Sequence, residues 1–329
     1  MQHVHHRPIV NAPPDSSPEH VPAFSVSTAE AADRHAIEEL QQACGNPPDA
    51  GRDGAPFWLV RQDGVLVGCA ACTTDGDAAL LSGIAVSPAA RGCGIGSSLV
   101  TTILRQMVAK GVRSIGCLQG DSGLLRRFGF LPVRAEALAP ALRSEGHLGS
   151  SAPESASAML LDLRGGTLVR PAARTDMPAA LAIYNDAVAD STATYDYEPR
   201  APEEQYALYD QKMADGLGFF VACTLDGTVA GFSTYGLYRT RPGWRFASEH
   251  SVYVAAPWRG MGVGLGLLPP IMWHARRKGF HTMIGVVDAA NQASLRMHRR
   301  AGFTDVGTVR EGGYKFDRWL DVAFLQAML

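Results

Sequence analysis

Glu249 is the one acidic side chain in the run Ser248-Glu249-His250-Ser251-Val252-Tyr253-Val254. If the run is a strand, alternation puts Glu249, Ser251 and Tyr253 on one face and His250, Val252 and Val254 on the other. A carboxylate half-buried in such a strand has its pKa raised toward that of a usable general base; left in solvent it would be an ordinary strand residue. Ser294 and His298 lie four residues apart, hence on one face if helical, and Asn291 stands where it would cap that helix. A lone histidine on a helix either packs or handles a proton. Arg239 and Arg241, in Tyr238-Arg239-Thr240-Arg241-Pro242-Gly243-Trp244, are spaced as a two-pronged clamp for a carboxylate or phosphinate, the alternative being an exposed charged loop. Such a clamp suits a small, zwitterionic, acidic amino acid, and Tyr253, Thr194 and Tyr195 are further candidates to line the same pocket.

Two other stretches carry chemistry through the backbone. Arg259-Gly260-Met261-Gly262-Val263-Gly264 and Arg91-Gly92-Cys93-Gly94-Ile95-Gly96 each follow an apolar strand-like run and precede a helical one. Glycines at alternate positions before a helix let several N–H groups point at one place, where the positive helix end adds to the field. That arrangement cradles a phosphate or pyrophosphate. The dinucleotide spacing with its distal acid is missing, and so is the Lys-Ser or Lys-Thr ending of a P-loop.

The elements that position these residues come twice. Residues 57–61 and 65–73 flank Asp63-Gly64, and residues 219–225 and 228–238 flank Asp226-Gly227, each pair reading as a hairpin. Each hairpin is followed by an apolar strand (78–86; 247–254) closed by a small residue and proline, then the glycine hexapeptide and a helix (97–110; 265–278) stopped by Gly111 or Gly279. A short strand, a brief helix and Gly129-Phe130 or Gly302-Phe303 complete each copy. The repeat distance is too long for a solenoid and reads as a duplicated domain. We place a disordered tail at residues 1–22, a first domain at 23–164 and a second at 165–329, which opens with a strand and a helix capped by Asp176. Pro269-Pro270 falls inside the second helix, where proline removes backbone donors; a break or restart is expected there.

Composition narrows the function. The chain has 329 residues, with 30 Lys+Arg against 32 Asp+Glu and no long basic run, which speaks against nucleic acid. No stretch approaches a membrane span, and residues 1–22 lack the apolar core of a signal peptide, so a cytoplasmic location is the simplest expectation. The six cysteines are scattered; the pair Cys69 and Cys72 sits in an apolar run and reads as buried thiols in place of a metal or redox site. The histidines and prolines of the tail read as solvated. No metal is expected.

The pattern [Q/R]-x-x-G-x-[G/A] after an apolar strand, with the later Gly-Phe element, resembles motif A of the GNAT superfamily of acyl-CoA N-acyltransferases, and does so in both halves. The resemblance implies an α+β chain of two tandem GNAT domains, each a mixed, mostly antiparallel sheet splayed at the cofactor strand and flanked by helices. It further implies acetyl-CoA as co-substrate, its pyrophosphate on the loop amides and its pantetheine arm along the preceding strand. Carried over, Val252, Tyr253, Val254 and Arg259, Gly260, Met261, Gly262, Val263, Gly264, with Asn291 and Ser294, would hold it in the second domain; Ile84, Ala85, Val86 and Arg91, Gly92, Cys93, Gly94, Ile95, Gly96 would do so in the first.

The second half is most similar to the phosphinothricin acetyltransferase branch, which includes enzymes for methionine sulfoximine and arsinothricin. The shared stretches are IYNDAV (183–188), SEHSVYV (248–254), NQASLRMHRRAGF (291–303) and GTVREGGYKFDRWLDVAF (307–324). In that branch the residue matching Glu249 is regarded as the base and the one matching His298 lies at the acetyl site; His298 also stands where many enzymes of the superfamily carry a tyrosine as general acid, which implies a catalytic role for both. Direct attack of the amine on the thioester is implied. The first half resembles a branch associated with arsenic resistance, yet Leu125 stands at the general-acid position, no Glu occurs in the strand 78–86, and Ala152 replaces a cysteine of that branch. A degenerate first domain is therefore expected. Two alternatives remain open at this level: acetylation of a larger amine such as an antibiotic or peptide, and an acyl-CoA sensor or scaffold. The expected partner is a small amino-acid-like molecule, and the chain is either a monomer with an internal pseudo-dimer or a homodimer.

Overall fold

The computed structural model describes residues 25–46, 55–118, 122–135, 138 and 157–329. The expected tail and Ala152 lie outside the described residues. The first half contains β1 (Val26–Thr28), α1 (Arg34–Ala43), β2 (Phe57–Gln62), β3 (Val65–Asp75), β4 (Ala78–Val86), α2 (Ile95–Ala109), β5 (Ser114–Cys117), α3 (Gly123–Arg126), β6 (Leu131–Arg134) and β7 (Ser157–Asp162). The second contains β8 (Leu168–Pro171), α4 (Met177–Asp190), α5 (Pro202–Ala214), β9 (Phe219–Cys223), β10 (Val229–Leu237), β11 (Ala247–Val254), α6 (Val263–Arg277), β12 (Thr282–Asp288), α7 (Gln292–Arg300), β13 (Thr304–Lys315) and β14 (Arg318–Met328).

Among the described residues these strands form two seven-stranded sheets with the same topology. The orders are β1-β2-β3-β4-β5-β7-β6 and β8-β9-β10-β11-β12-β14-β13. Each sheet is antiparallel except at its centre, where β4 runs parallel to β5 and β11 parallel to β12. Those parallel pairings are brief. β11 and β12 are in register only at Ala247, Ser248 and Glu249 against Thr282, Met283 and Ile284, while both strands run on. The strands therefore part in a V that starts at Glu249; in the first half the pairing stops at Leu81 and Cys117, where β5 ends and β4 runs on to Val86. Neighbouring strands in a sheet satisfy each other's peptide groups, so parting exposes an edge able to bond something else.

The two copies differ by one residue in the splayed strand. The β3–β4 register slips between Ala71↔Ser82 and Cys69↔Ala85, with Gly83 at φ +57° taking up the extra residue, whereas β10 and β11 pair without a slip from Gly231↔Val254 to Leu237↔Ser248. Counted from the parallel register, Leu80 stands where Glu249 does: Leu80 opposes Gly116, and Glu249 opposes Ile284.

The expected break at Pro269-Pro270 does not occur, because α6 runs unbroken from Val263 to Arg277. Both prolines and their neighbours Leu267, Leu268 and Ile271 are buried, so packing on all sides holds the helix through the two lost backbone donors. Part of that packing comes from the other half. The guanidinium of Arg127 lies 5.3 Å from the Trp273 ring, and Leu131 belongs to the second core. A Cβ on Gly129 would come within 2.7 Å of the Gly266 carbonyl oxygen. The helix after β8 also differs in detail from expectation. Asp176 adjoins α4, yet its carboxylate accepts from Ala173 N at 2.7 Å and from Arg170, upstream of the helix.

Candidate active site

The V between β11 and β12 opens into a cleft of about 220 Å³. Its walls bring together Glu249, Val252, Tyr253, Asn291, Ser294 and His298 of the expected site residues, with His250, Asp288 and the segment 192–195. Glu249 is half-buried; burial pushes its carboxyl above the ordinary range, and the nearby Arg239 cation pulls the other way. A carboxylate in that position is a better proton acceptor than one in water.

Asn291 caps α7 as its spacing predicts, its Oδ1 accepting from Ser294 N at 3.0 Å. One turn on, His298 is 3% exposed and faces His250 across the V, Nε2 to Nε2 at 3.2 Å. His298 Nδ1 lies 2.7 Å from the Ser294 carbonyl oxygen, which can only accept, so Nδ1 carries the proton. A neutral His298 then has a bare Nε2, and His250 Nε2–H must be the donor between them. His250 Nδ1 is left bare, buried and without a partner among the described residues. The two rings stack at 5.0 Å, with the Phe303 ring edge-on to both. Burial depresses the pKa of each imidazole. Gly285 on β12 makes room for the pair, since a Cβ there would sit 3.1 Å from His250 Nε2 and His298 Nε2.

Opposite the imidazoles, Thr192 donates from Oγ1 to Asp288 at 2.6 Å and ties the segment after α4 to the end of β12. The Tyr195 hydroxyl in that segment is buried without a partner among the described residues, and burial, then Asp288, raises its pKa. Burial pushes the Tyr253 hydroxyl up to about 12, and its ring packs at 5.3 Å from Tyr184. At neutral pH both phenols are therefore donors.

The glycine loop follows the open end of the V, past Val254. Gly260 at φ +77° and Gly262 at φ +84° turn it, and Arg259 Nε donates to the Val254 carbonyl at 3.0 Å. Because Ala255 N bonds back to Ala230, Val252 and Val254 present their own peptide groups to the other edge of β11, into the V. Arg239 and Arg241 line a separate surface hollow with Tyr238, Thr240 and Trp244, and neither side chain is in the cleft wall.

The first half repeats the loop and fills the cleft. Gly92 and Gly94 have φ of +82° and +84°, and Arg91 Nε donates to the Val86 carbonyl at 3.3 Å. The end of α1 adds donors that the second half lacks among the described residues: Asn46 Nδ2 donates to the Ile84 carbonyl at 3.1 Å, and Cys44 Sγ joins Arg91 at the Val86 carbonyl at 3.3 Å. Leu80 is buried in an apolar cluster with Leu138, while Leu81 and Leu125, at the places of His250 and His298, are in the main core. Cys69 and Cys72 lie in different core clusters on opposite faces of β3, and burial pushes both thiols up to about 12.

The sequence pattern missed His250, Asp288 and Thr192. The signal for His250 was present, since alternation puts it on the inward face of a strand that a histidine-bearing helix must cover.

The profile described as "Acetyltransferase (GNAT) family" matches residues 20–130 and 182–303. An L-methionine sulfoximine/L-methionine sulfone acetyltransferase of Pseudomonas aeruginosa is 40% identical over 161 residues, covering 49% of this chain and 94% of that protein. A phosphinothricin N-acetyltransferase of Streptomyces viridochromogenes is 32% identical over 158 residues, covering 48% and 85%. A solved putative acetyltransferase of Salmonella typhimurium, with its cofactor acetyl-CoA, is 34% identical with a TM-score of 0.48, covering 50% and 94%.

Proposed function

The chain belongs to the acetyltransferase (GNAT) family, and on that premise we propose that its second half acetylates the α-amine of a small acidic amino acid or of a toxic analogue of the phosphinothricin, methionine sulfoximine or arsinothricin type. The observation that carries this reading is the half-buried Glu249 at the origin of the cleft, on the strand that leads into the glycine loop. Acetyl-CoA supplies the acetyl group as a thioester. The donors of this chain suit it: the amides of residues 260–264 at the start of α6 would hold the pyrophosphate, and the peptide groups of Val252 and Val254 would hold the arm.

Glu249 takes the ammonium proton, directly or through one water, and so frees the lone pair for attack. An α-ammonium of pKa about 8 needs only a modest base near neutrality. Tyr195 and Tyr253 keep donors inside the cleft, and His298 closes its floor beside the acetyl position. Arg239 and Arg241, from their hollow beside Glu249, add positive charge that favours an anionic side group on the substrate.

The test is thiol release from acetyl-CoA by the full chain with a panel of amines: methionine sulfoximine, phosphinothricin, glutamate, neutral amino acids, peptides and aminoglycosides. Preference for the first two supports the reading. Turnover of peptides or aminoglycosides above all amino acids would replace it.

A further inference from the structure

The two halves build the same place in the V from different residues. In the first half it holds Leu81 and Leu125, fully buried and apolar. The fold therefore does not require imidazoles there, and a buried polar pair with one acceptor unpaired costs stability relative to two leucines. His250 and His298 are held for a reason other than packing.

We propose that His250 is a positioning residue that keeps His298 uncharged, so that the cleft meets an incoming ammonium with the negative charge of Glu249 unopposed. The hydrogen-bond chain runs one way, from His250 Nε2–H to His298 Nε2 and from His298 Nδ1–H to the Ser294 carbonyl. Nε2 is the nitrogen of His298 that a second proton would have to occupy, and the His250 N–H already points at it from 3.2 Å. Phe303 against both rings and Gly285 beneath them fix the arrangement, so neither imidazole can turn away. The titratable groups facing the pair are Glu249 and Tyr253 of β11, Asp288 of β12 and Tyr195 of the segment after α4; none of them is a cation. An imidazolium on this floor would repel the substrate ammonium and offset Glu249. The inference rests on the acetyltransferase reading of the cleft, but its spectroscopic test does not.

The experiment is a ¹⁵N-edited imidazole titration of the full chain, with steady-state kinetics on methionine sulfoximine and acetyl-CoA. His298 is expected as the Nδ1–H tautomer and His250 as the Nε2–H tautomer, both neutral at pH 5.5. His250→Phe keeps a ring for the stack and removes the donor. In it His298 is expected to protonate at pH 5.5, with KM for methionine sulfoximine raised about tenfold at pH 6 but less than about twofold at pH 8.5, and KM for acetyl-CoA unchanged. His250→Gln offers an amide N–H at nearly the same point and is expected to restore the neutral His298 and the low KM. A His298 that carries its proton on Nε2 in the native chain overturns the proposal, and so does a His250→Phe variant whose loss of activity is the same at both pH values. A chain with the expected tautomers but no acetylation of any amine would overturn the proposed function and leave the pairing intact.

Discussion

The two halves share every backbone feature of the site and almost none of its side-chain chemistry. Both have the brief parallel pair, a glycine loop with matching φ angles, and an arginine tied to the last carbonyl of the strand before it. Where the second places Glu249, His250, Gly285 and His298, the first places Leu80, Leu81, Cys117 and Leu125, all buried. In the first half the carbonyls of Ile84 and Val86 take added donors from Asn46 and Cys44. The same glycine cradle thus stands beside a cleft in one half and beside buried core residues in the other. The first half has a use for its shape, because its Gly129 and Arg127 pack directly on α6, the helix that starts from the second cradle.

The sharpest test exchanges the residue at the origin of the V. Glu249→Gln is expected to lower kcat by about 10²-fold or more, the scale of positioned acid-base help. The reciprocal Leu80→Glu is expected to create no activity and to destabilise the chain by about 3 kcal/mol or more, read from urea unfolding, because a carboxylate there has only apolar neighbours. Near-normal turnover in Glu249→Gln would erase the functional difference between the halves. A second test counts cofactor: calorimetric titration with coenzyme A is expected to give one site per chain. Two equivalent sites would show that Asn46 and Cys44 yield their carbonyls to a ligand. Third in size, Arg239→Ala is expected to raise KM for phosphinothricin about tenfold while leaving a neutral amino acid within about twofold. It should also move the acid limb of kcat/KM to higher pH, since the cation that opposes the burial shift of Glu249 is gone. Equal effects on both substrates would leave the arginine pair as surface charge.

Much of this was legible in the sequence, for reasons that differ by residue. The hairpins, the splayed strands and the glycine loops are local, written in alternation and turn residues. Asp63-Gly64, with φ of +52° and +80°, is one such case. Glu249 was visible as a carboxylate in a strand without other acids. The continuity of α6 through Pro269-Pro270 was not visible, because it depends on packing from a domain more than a hundred residues upstream. Nor was the His250–His298 contact, which joins a strand to a helix across the V. The bonding of β4's carbonyls by Asn46 and Cys44 is likewise a contact between α1's end and β4 that no spacing rule encodes.

The smallest expected effect probes stability and returns to the imidazoles. Burial holds both His250 and His298 below the ordinary value of about 6.5, so the unfolded chain binds protons that the folded chain refuses. Stability attached to the pair is therefore fully present above pH 6.5 and is lost as pH falls below it, at up to about 1.4 kcal/mol per pH unit for each imidazole. Leu81 and Leu125 contribute no such slope. Rewriting the second half as the first, with His250→Leu and His298→Leu together, is expected to flatten the fall in urea midpoint between pH 7.5 and 5.5 and to match or exceed native stability at the lower pH. An unchanged slope would mean that the imidazoles are already protonated in the folded chain, and the contrast between a polar floor and an apolar one would lose its physical basis.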